Sequence, residues 1–301
     1  GAVDVDGTSH RRILDVDLRV GTHELDNTRS IRGVAFELGR GTRGVELPLG
    51  DDPAAIRTIV WNATDKAYKA AQERYGKVVT NRQVKVREED TSADLSKEQA
   101  YQLIEEARRQ SFDTTKYRNL VRSLSARFAG HPHIYLGRVT LQVDEVVKYF
   151  VNSEGTRIQH VEPMVKMFVL CKTKADDGMS LPLYRSYSAY AVEGLPSQAS
   201  LEKDVDDAIR LCEELRTAPL METYTGPAIL SGRSAGVFFH EIFGHRVEGH
   251  RQKDANSSQT FKAFLGKKIL PDFIDVVFDP TIRSLGGQDI VGAYKYDDEG
   301  M

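Results

Sequence analysis

Two histidines and a glutamate form the densest group of chemically active residues in the sequence: His240, Glu241 and His245. Neutral imidazole is a good zinc ligand, and a carboxylate beside a bound metal can take a proton from water. The pattern H-E-x-x-x-H therefore predicts a hydrolytic metal site. The same residues could instead be structural histidines that form hydrogen bonds in a core, and both interpretations stay open on spacing alone.

The spacing of the two histidines constrains the helix that carries them. In the more common H-E-x-x-H pattern the two rings lie about 40° apart around the helix, whereas five residues place them about 140° apart. Either a wide π-type turn or a helix that ends at Gly244 would bring His245 back towards His240, and the glycine favours the second. The apolar run Ala235–Phe239 predicts that this helix is buried.

Three further polar segments have a structural interpretation beside a functional one. We expect Glu248 to pair with Arg246 or Arg251 at the surface, or to orient a histidine that binds the metal. His131–His133 lies between a helix and a strand and is interpreted as a turn. Asp297–Glu299 is interpreted as a surface turn, with cation binding as the alternative.

The apolar periodicity predicts an α+β fold. The first half predicts strands at Leu14–Val20, Gly33–Leu38 and Lys77–Glu88, a loop at Gly39–Gly44, a helix from Asp52 to Gly76 and a helix that begins at Ser96. The second half predicts a helix at Asp113–Gly130, an antiparallel meander over Ile134–Val192 with a turn at Ser153–Gly155, a helix at about 198–216 and a short strand at Ala228–Leu230. The meander is antiparallel because its connections are too short for parallel crossovers.

A change of pattern near Pro219–Pro227 predicts a domain boundary, as is common in chains of this length. We expect residues 1–220 to form an N-terminal α+β domain in which helices lie against an antiparallel sheet. Residues 221–301 are expected to form the beginning of a β-rich C-terminal catalytic domain that carries the helix with the H-E-x-x-x-H pattern.

Composition argues against several classes of protein. The 41 Lys and Arg against 44 Asp and Glu give a formal net charge of −3, which argues against a protein that coats nucleic acid. No apolar run approaches the roughly 20 residues of a membrane-spanning helix. Cys171 and Cys212 are too few for a disulfide scaffold and are expected in the core. Because the chain begins with Gly1 and ends at Met301, we expect it to be a trimmed or processed form.

The segment Phe239–Gly249 resembles the signature of the TldD/PmbA family of metalloproteases, whose members are often described as modulators of DNA gyrase. Further stretches that resemble the family are Arg19–Gly21, Leu25–Thr28, Asn152–Thr156, Tyr224–Pro227 and Asp297–Gly300. The resemblance runs along nearly the whole chain.

The resemblance implies an α/β N-terminal domain, a β-rich C-terminal domain and a zinc-dependent peptidase that hydrolyses short or unfolded peptides. It implies that His240 and His245 are zinc ligands and that Glu241 is the general base that activates the metal-bound water. The family's third protein ligand is a cysteine towards the C-terminus, which we expect to lie outside this chain. His250 is the alternative third ligand within it.

The resemblance also implies the partners and the compartment. We expect a peptide or unfolded-protein substrate, a homodimer or a heterodimer with a non-catalytic paralogue, no direct nucleic-acid binding, no membrane span and a cytoplasmic location, with an exported precursor left open. Two alternatives to the peptidase function remain open. One is a non-enzymatic regulator that binds gyrase or a toxin–antitoxin pair, and the other is an inactive fragment that lacks the third zinc ligand.

Overall fold

A computed structural model describes residues 5–31, 41–84, 91–107, 110–253, 257–297 and 299–301. These residues form both helices and strands, so the predicted α+β class is confirmed. The chain divides into two compact units. The sheet unit consists of Gly1–Asp6, Glu98–Thr225 and Val277–Met301, and the helical unit consists of Gly7–Lys97 and Gly226–Val276. The domain boundary predicted between residues 220 and 221 stays a prediction.

The helical unit begins with a two-stranded antiparallel pair, β1 (Arg12–Val16) and β2 (Thr42–Leu47). Side chains of β1 alternate between half-buried and exposed, as the sequence pattern predicts, although the strand ends four residues before Val20. The pairing strand β2 begins inside Gly39–Gly44, which was predicted as a loop. The strand predicted at Gly33–Leu38 lies outside the described residues.

Helix α1 (Pro53–Val84) is longer than the sequence predicts. It starts as expected, with Asp52 accepting a hydrogen bond from the backbone N–H of Ala54 at 2.9 Å. The predicted end at Gly76 is wrong, and residues 77–84 are helical rather than extended; residues 85–88 of that predicted strand lie outside the described residues. A row of buried side chains at helical spacing continues from Ala63, Ala67 and Ala71 to Val78, which is 1% exposed. Burial of that row outweighs the cost of about 1 kcal/mol for a glycine within a helix.

The sheet unit contains a short strand, β3 (Gln102–Ile104), where the sequence predicts a helix from Ser96. The helix prediction is wrong because the backbone groups around β3 bond to a distant strand. Tyr101 O accepts from Arg157 N at 2.8 Å, and Glu105 N donates to Gln159 O at 2.9 Å. A parallel ladder therefore replaces the local hydrogen bonds of a helix.

The predicted antiparallel meander is confirmed. Its strands are β4 (Leu136–Val151), β5 (Arg157–Lys174) and β6 (Ser180–Ala189). Strand β5 lies at the centre, with β4 on one side and both β3 and β6 on the other. The predicted turn at Ser153–Gly155 connects β4 to β5, and Asn152 supports it by accepting a hydrogen bond from Thr156 N at 2.9 Å.

Two helices cover one face of this sheet: α2 (Thr114–Ala126) and α3 (Gln198–Arg216). Both were predicted, and both start at a capping side chain, Asp113 in α2 and Ser197 in α3. The core between the sheet and the two helices contains fully buried side chains from all three elements: Leu124, Met167, Val169, Cys171, Leu201, Val205, Ala208 and Cys212. Phe128 packs against this core, and its ring lies directly over Gly137 of β4.

The last residues of the chain contribute to the sheet unit. A two-stranded pair, β7 (Ser284–Leu285) and β8 (Gln288–Asp289), lies next to the end of β6. Tyr190 N donates to Asp289 Oδ2 at 3.1 Å, and the Tyr190 hydroxyl donates to Ile290 O. The rings of Tyr101 and Tyr296 lie 5.1 Å apart.

The strand predicted at Ala228–Leu230 is wrong. These residues are irregular, and Ile229 is fully exposed. A run of three apolar residues does not form a strand unless a pairing partner lies beside it. None of the helices in the described part of the chain has the length and apolar character needed to cross a bilayer.

Candidate metal site

The candidate site lies at the end of helix α4 (Gly232–Ile242), which carries His240 and Glu241 in its last turn. The helix ends when Phe243 adopts φ −120° and ψ −59°. The N–H groups of Arg246 and Val247 then both donate to Phe243 O, at 2.9 and 3.1 Å. The bond from Arg246 and a second bond from Val247 N to Gly244 O, at 3.4 Å, each span three residues and form a 3₁₀ turn over Gly244–Arg246 that carries His245.

The predicted break of the helix before His245 is confirmed. Helix α4 ends at Ile242, two residues before the predicted end at Gly244. The predicted role of Gly244 is wrong, because its φ lies outside the left-handed region. A Cβ at this position would meet His240 Nδ1 at 3.9 Å, which is an ordinary contact. The change of direction comes from Phe243 and the 3₁₀ turn, so it does not depend on glycine.

This break brings the two imidazole rings together. The ring centroids of His240 and His245 lie 4.3 Å apart, with an angle of 73° between the ring planes. One ligand atom each from His240, Glu241 and His245 lies within 4.8 Å of the other two. Among the described residues, this is the only such group of three. His250, predicted as an alternative third ligand, does not belong to it.

The chemistry and spacing of this donor set fit a zinc ion. Two donors on a tetrahedral zinc, each about 2.0–2.1 Å from the metal, lie roughly 3.4 Å apart. His240 and Glu241 are both exposed, so both side chains have room to rotate towards a shared ion. The ligand roles of the two histidines and the base role of Glu241 stay predictions.

Glu248 connects the site to the next helix, α5 (Gly249–Lys253). Its Oε1 lies 2.7 Å from His245 Nδ1, and its Oε2 accepts a hydrogen bond from Arg251 Nε at 2.6 Å. The bond from Arg251, followed by the bond to His245, lowers the pKa of the Glu248 carboxyl to about 2. The predicted pairing of Glu248 with a guanidinium is confirmed, with Arg251 as the partner, and the same carboxylate contacts a histidine of the candidate site. The i, i+3 spacing from Glu248 to Arg251 is the sequence signal for this pair.

The site is more exposed than the sequence predicts. The run Ala235–Phe239 was expected to bury the helix, but no residue of α4 is buried. Val237, Phe238 and Phe239 are 60%, 46% and 42% exposed. An amphipathic pattern indicates which face of a helix can be buried, and burial also requires a second surface over that face.

Comparison with known proteins identifies this part of the chain. Residues 223–301 match the family model described as the PmbA/TldA metallopeptidase C-terminal domain. These residues are similar to the C-terminal domain of the TldD/PmbA family. Neither the curated proteins nor the solved structures contain a match to the chain.

The TldD/PmbA match contains every residue of the candidate site. His240, Glu241 and His245 lie within it, as do Glu248 and Arg251. The chain thus carries a metallopeptidase-type domain, and the histidine–glutamate–histidine group lies inside that domain. The family resemblance inferred from the segment Phe239–Gly249 is confirmed.

The two cysteines lie outside the matched segment in sequence, and in the described part of the chain neither belongs to a group of metal ligands. Both are free and fully buried in the sheet unit, as predicted. Cys212 Sγ lies 3.7 Å from Cys171 O. Burial raises the pKa of both thiols above the ordinary value. A neutral, buried thiol is a poor metal ligand.

The remaining polar segments form turns, as their structural interpretation predicts. His133 lies in the turn before β4, and its Nδ1 lies 2.9 Å from Glu213 Oε2. Asp297 Oδ1 accepts from the backbone N–H groups of Glu299 and Met301, at 3.0 and 2.8 Å. Asp298 lies outside the described residues. These hydrogen bonds account for the Asp297 carboxylate as part of the local turn.

Proposed function

We propose that the protein is a zinc-dependent peptidase that hydrolyses short or unfolded peptides. The observation that supports it most directly is the convergence of His240, Glu241 and His245 within 4.8 Å at the end of α4. Two imidazoles and a carboxylate are the donor and base types that hydrolytic zinc sites use. The metallopeptidase family match over residues 223–301 supports the same chemistry.

Each residue of the group has a separate role in this proposal. His240 and His245 hold the metal through a neutral ring nitrogen. When bound, zinc supplies Lewis acidity, which polarises a peptide carbonyl and makes water more acidic. Glu241 accepts a proton from the water whose oxygen attacks the carbonyl carbon. Glu241 then returns that proton to the amide nitrogen as the C–N bond breaks, which leaves a carboxyl group and an amine.

The exposure of the site supports the choice of substrate. Glu241 is exposed, and the rings of Phe238 and Phe239 beside it are about half exposed. Short and unfolded peptides present both backbone and apolar side chains to such a surface, whereas a folded protein hides most of its apolar side chains. We therefore expect cleavage of flexible peptides and resistance of well-folded proteins.

The test combines metal content with hydrolysis in matched variants of the chain. Elemental analysis measures zinc per protomer, and a mixture of quenched fluorescent peptides measures cleavage. We expect Glu241→Gln to keep its zinc and lose about 100-fold or more in hydrolysis, because a positioned general base contributes about 10²–10⁴. His240→Ala and His245→Ala should lose both zinc and hydrolysis.

Glu222→Gln is the matched control, because Glu222 is an exposed glutamate that lies just before the matched segment and outside the donor group. It should behave as the parent chain does. Loss of zinc in Glu241→Gln would make Glu241 a third ligand and overturn its role as the base. A parent chain that binds no zinc would overturn the enzyme proposal and favour the inactive fragment.

The exposed apolar side of α4 favours a second candidate, a regulator that acts by binding another protein. Val237 and Phe238 are more exposed than side chains in a typical core helix. For this function, binding to gyrase or to a toxin–antitoxin pair should be equal in the parent chain and in His240→Ala. Loss of binding in Val237→Asp would locate the contact on α4. We further propose a cytoplasmic location and a dimer, which is either a homodimer or a heterodimer with a paralogue. Light scattering measures the oligomeric state.

A further inference from the structure

Glu248 lies between a candidate metal ligand and a cation, and each of its two oxygens has a different partner. Oε1 lies 2.7 Å from His245 Nδ1, and Oε2 lies 2.6 Å from Arg251 Nε and 3.4 Å from His250 Nε2. The carboxylate is therefore held from both sides. It cannot rotate towards solvent without losing a charge-assisted hydrogen bond.

The segment that carries Glu248 is itself tied to its surroundings. Arg251 N donates to Glu248 O at 3.1 Å where α5 begins. Gln252 Nε2 donates to Arg246 O at 2.6 Å, and Gln259 Nε2 donates to Gln252 O at 2.8 Å. These bonds fix α5 against the 3₁₀ turn. His245, which lies beyond the end of α4, thereby gains a support that the helix itself does not give it.

The contact between Glu248 and His245 selects one form of the imidazole. An ionised carboxylate only accepts hydrogen bonds, so Nδ1 of a neutral His245 must carry the proton. The lone pair then lies on Nε2, which is the nitrogen that points away from Glu248. Metal-binding histidines commonly donate their second ring nitrogen to a carboxylate in this way, and the contact fixes both tautomer and ring orientation.

We propose that Glu248, held by Arg251, is a positioning residue that keeps His245 in the Nδ1-protonated form and presents Nε2 to the metal. The part of this inference that concerns metal binding rests on the proposed function. The part that concerns the tautomer holds for the metal-free chain. Glu248 itself does not bind the metal or touch the substrate.

The experiment uses the complete chain with histidine labelled by ¹⁵N in the ring. NMR of the metal-free protein reports which ring nitrogen of His245 carries the proton, and His245→Ala assigns that signal among the eight histidines. Competition with a chromophoric chelator then measures the affinity for Zn²⁺. The variants are Glu248→Ala, Glu248→Gln and the control Glu222→Gln.

We expect Glu248→Ala to give a mixture of tautomers at His245 and to weaken Zn²⁺ binding by about 10–100-fold. Glu248→Gln keeps only one acceptor oxygen, for which Arg251 and His245 compete, so it should recover only part of the Nδ1-protonated form and part of the affinity. Glu222→Gln should change neither measurement. Because the Glu248 side chain is one-third exposed, we expect the circular dichroism and the urea midpoint of all three variants to match the parent chain.

Two results would overturn the inference. One is an unchanged His245 tautomer in Glu248→Ala. The other is parent-like Zn²⁺ affinity in Glu248→Ala when the parent chain binds the metal. If the parent chain binds no Zn²⁺, the proposed function fails, and the tautomer measurement still decides whether Glu248 positions His245.

Discussion

A single methyl group at Gly137 should destabilise the sheet unit. Gly137 lies on β4 under the ring of Phe128, and a Cβ there would lie 2.2 Å from Phe128 Cγ and 2.5 and 2.6 Å from two further ring carbons. Carbon atoms in ordinary contact are about 3.5–4.0 Å apart. The ring would therefore have to move by more than about 1 Å. Since Phe128 packs against the core between the sheet and helices α2 and α3, that movement would disturb the packing of both helices on the sheet.

We expect Gly137→Ala to lower the free energy of unfolding by about 1–3 kcal/mol, the usual cost of overpacking a filled core. Urea unfolding followed by far-UV circular dichroism measures this change. The matched variant is Phe128→Ala, which removes Cγ and the ring carbons that the methyl group would meet. In that background the additional cost of Gly137→Ala should fall to below about 0.5 kcal/mol, as a double-mutant cycle would detect.

The reasoning would be refuted if Gly137→Ala cost less than about 0.5 kcal/mol in the parent chain, because overpacking costs more than that. It would equally be refuted if the cost were the same with and without the Phe128 ring. In the second case, a backbone effect at position 137, and not the contact with Phe128, would be responsible. The φ of Gly137 lies outside the left-handed region, so we expect no such backbone effect.

Three further predictions concern elements away from the site. Gly76→Ala should raise the free energy of unfolding by about 0.5–1 kcal/mol, because Gly76 lies inside α1 and a Cβ there meets nothing within 4 Å. Urea unfolding measures this change, and a loss of stability would contradict the prediction. Cys171 and Cys212 should react with a thiol reagent only after denaturation, because both are fully buried and burial raises the pKa of both thiols; fast labelling of the native chain would show that this core opens. The hydrogen bond from Arg127 lowers the pKa of Asp206 below its ordinary value of 3.8, so this pair stabilises the fold above pH 3.8 and loses its effect as the pH falls through the lowered pKa. Asp206→Asn should therefore be less stable than the parent at neutral pH and equal to it in acid, and a difference that grows in acid would contradict the assignment.

Elements whose stabilising contacts lie close in sequence could be predicted. The α2 start at Asp113, the meander and the buried face of α3 follow from a capping side chain, period-two alternation and helical spacing. The break before His245 could also be predicted, because a regular helix would separate the two histidines by about 140°.

Elements that depend on distant partners could not be predicted from local pattern. Strand β3 has a strong helix-start signal at Ser96, yet it pairs with β5 about 55 residues later. The buried pair Arg29–Asp94, with side chains 10% and 5% exposed, likewise joins residues that no periodicity connects. At the site, the sequence gives the residue types, whereas the exposure of α4 depends on which surfaces lie nearby.

The contact between Tyr190 and Asp289 also bears on the order in which the parts of the sheet unit fold during synthesis. These residues lie 99 positions apart, and the ribosome adds about 5–20 residues per second, so the second half of this contact follows the first by about 5–20 seconds. During that interval Tyr190, at the end of β6, lacks its hydrogen bonds to Asp289 and Ile290. Residues 226–276 of the other unit are synthesised in the same interval. Helix α2 and the meander are complete before that interval begins, and helix α3 is synthesised in its first part. We therefore expect the sheet unit to fold in two stages on the ribosome, with its core formed early and its C-terminal edge closed last.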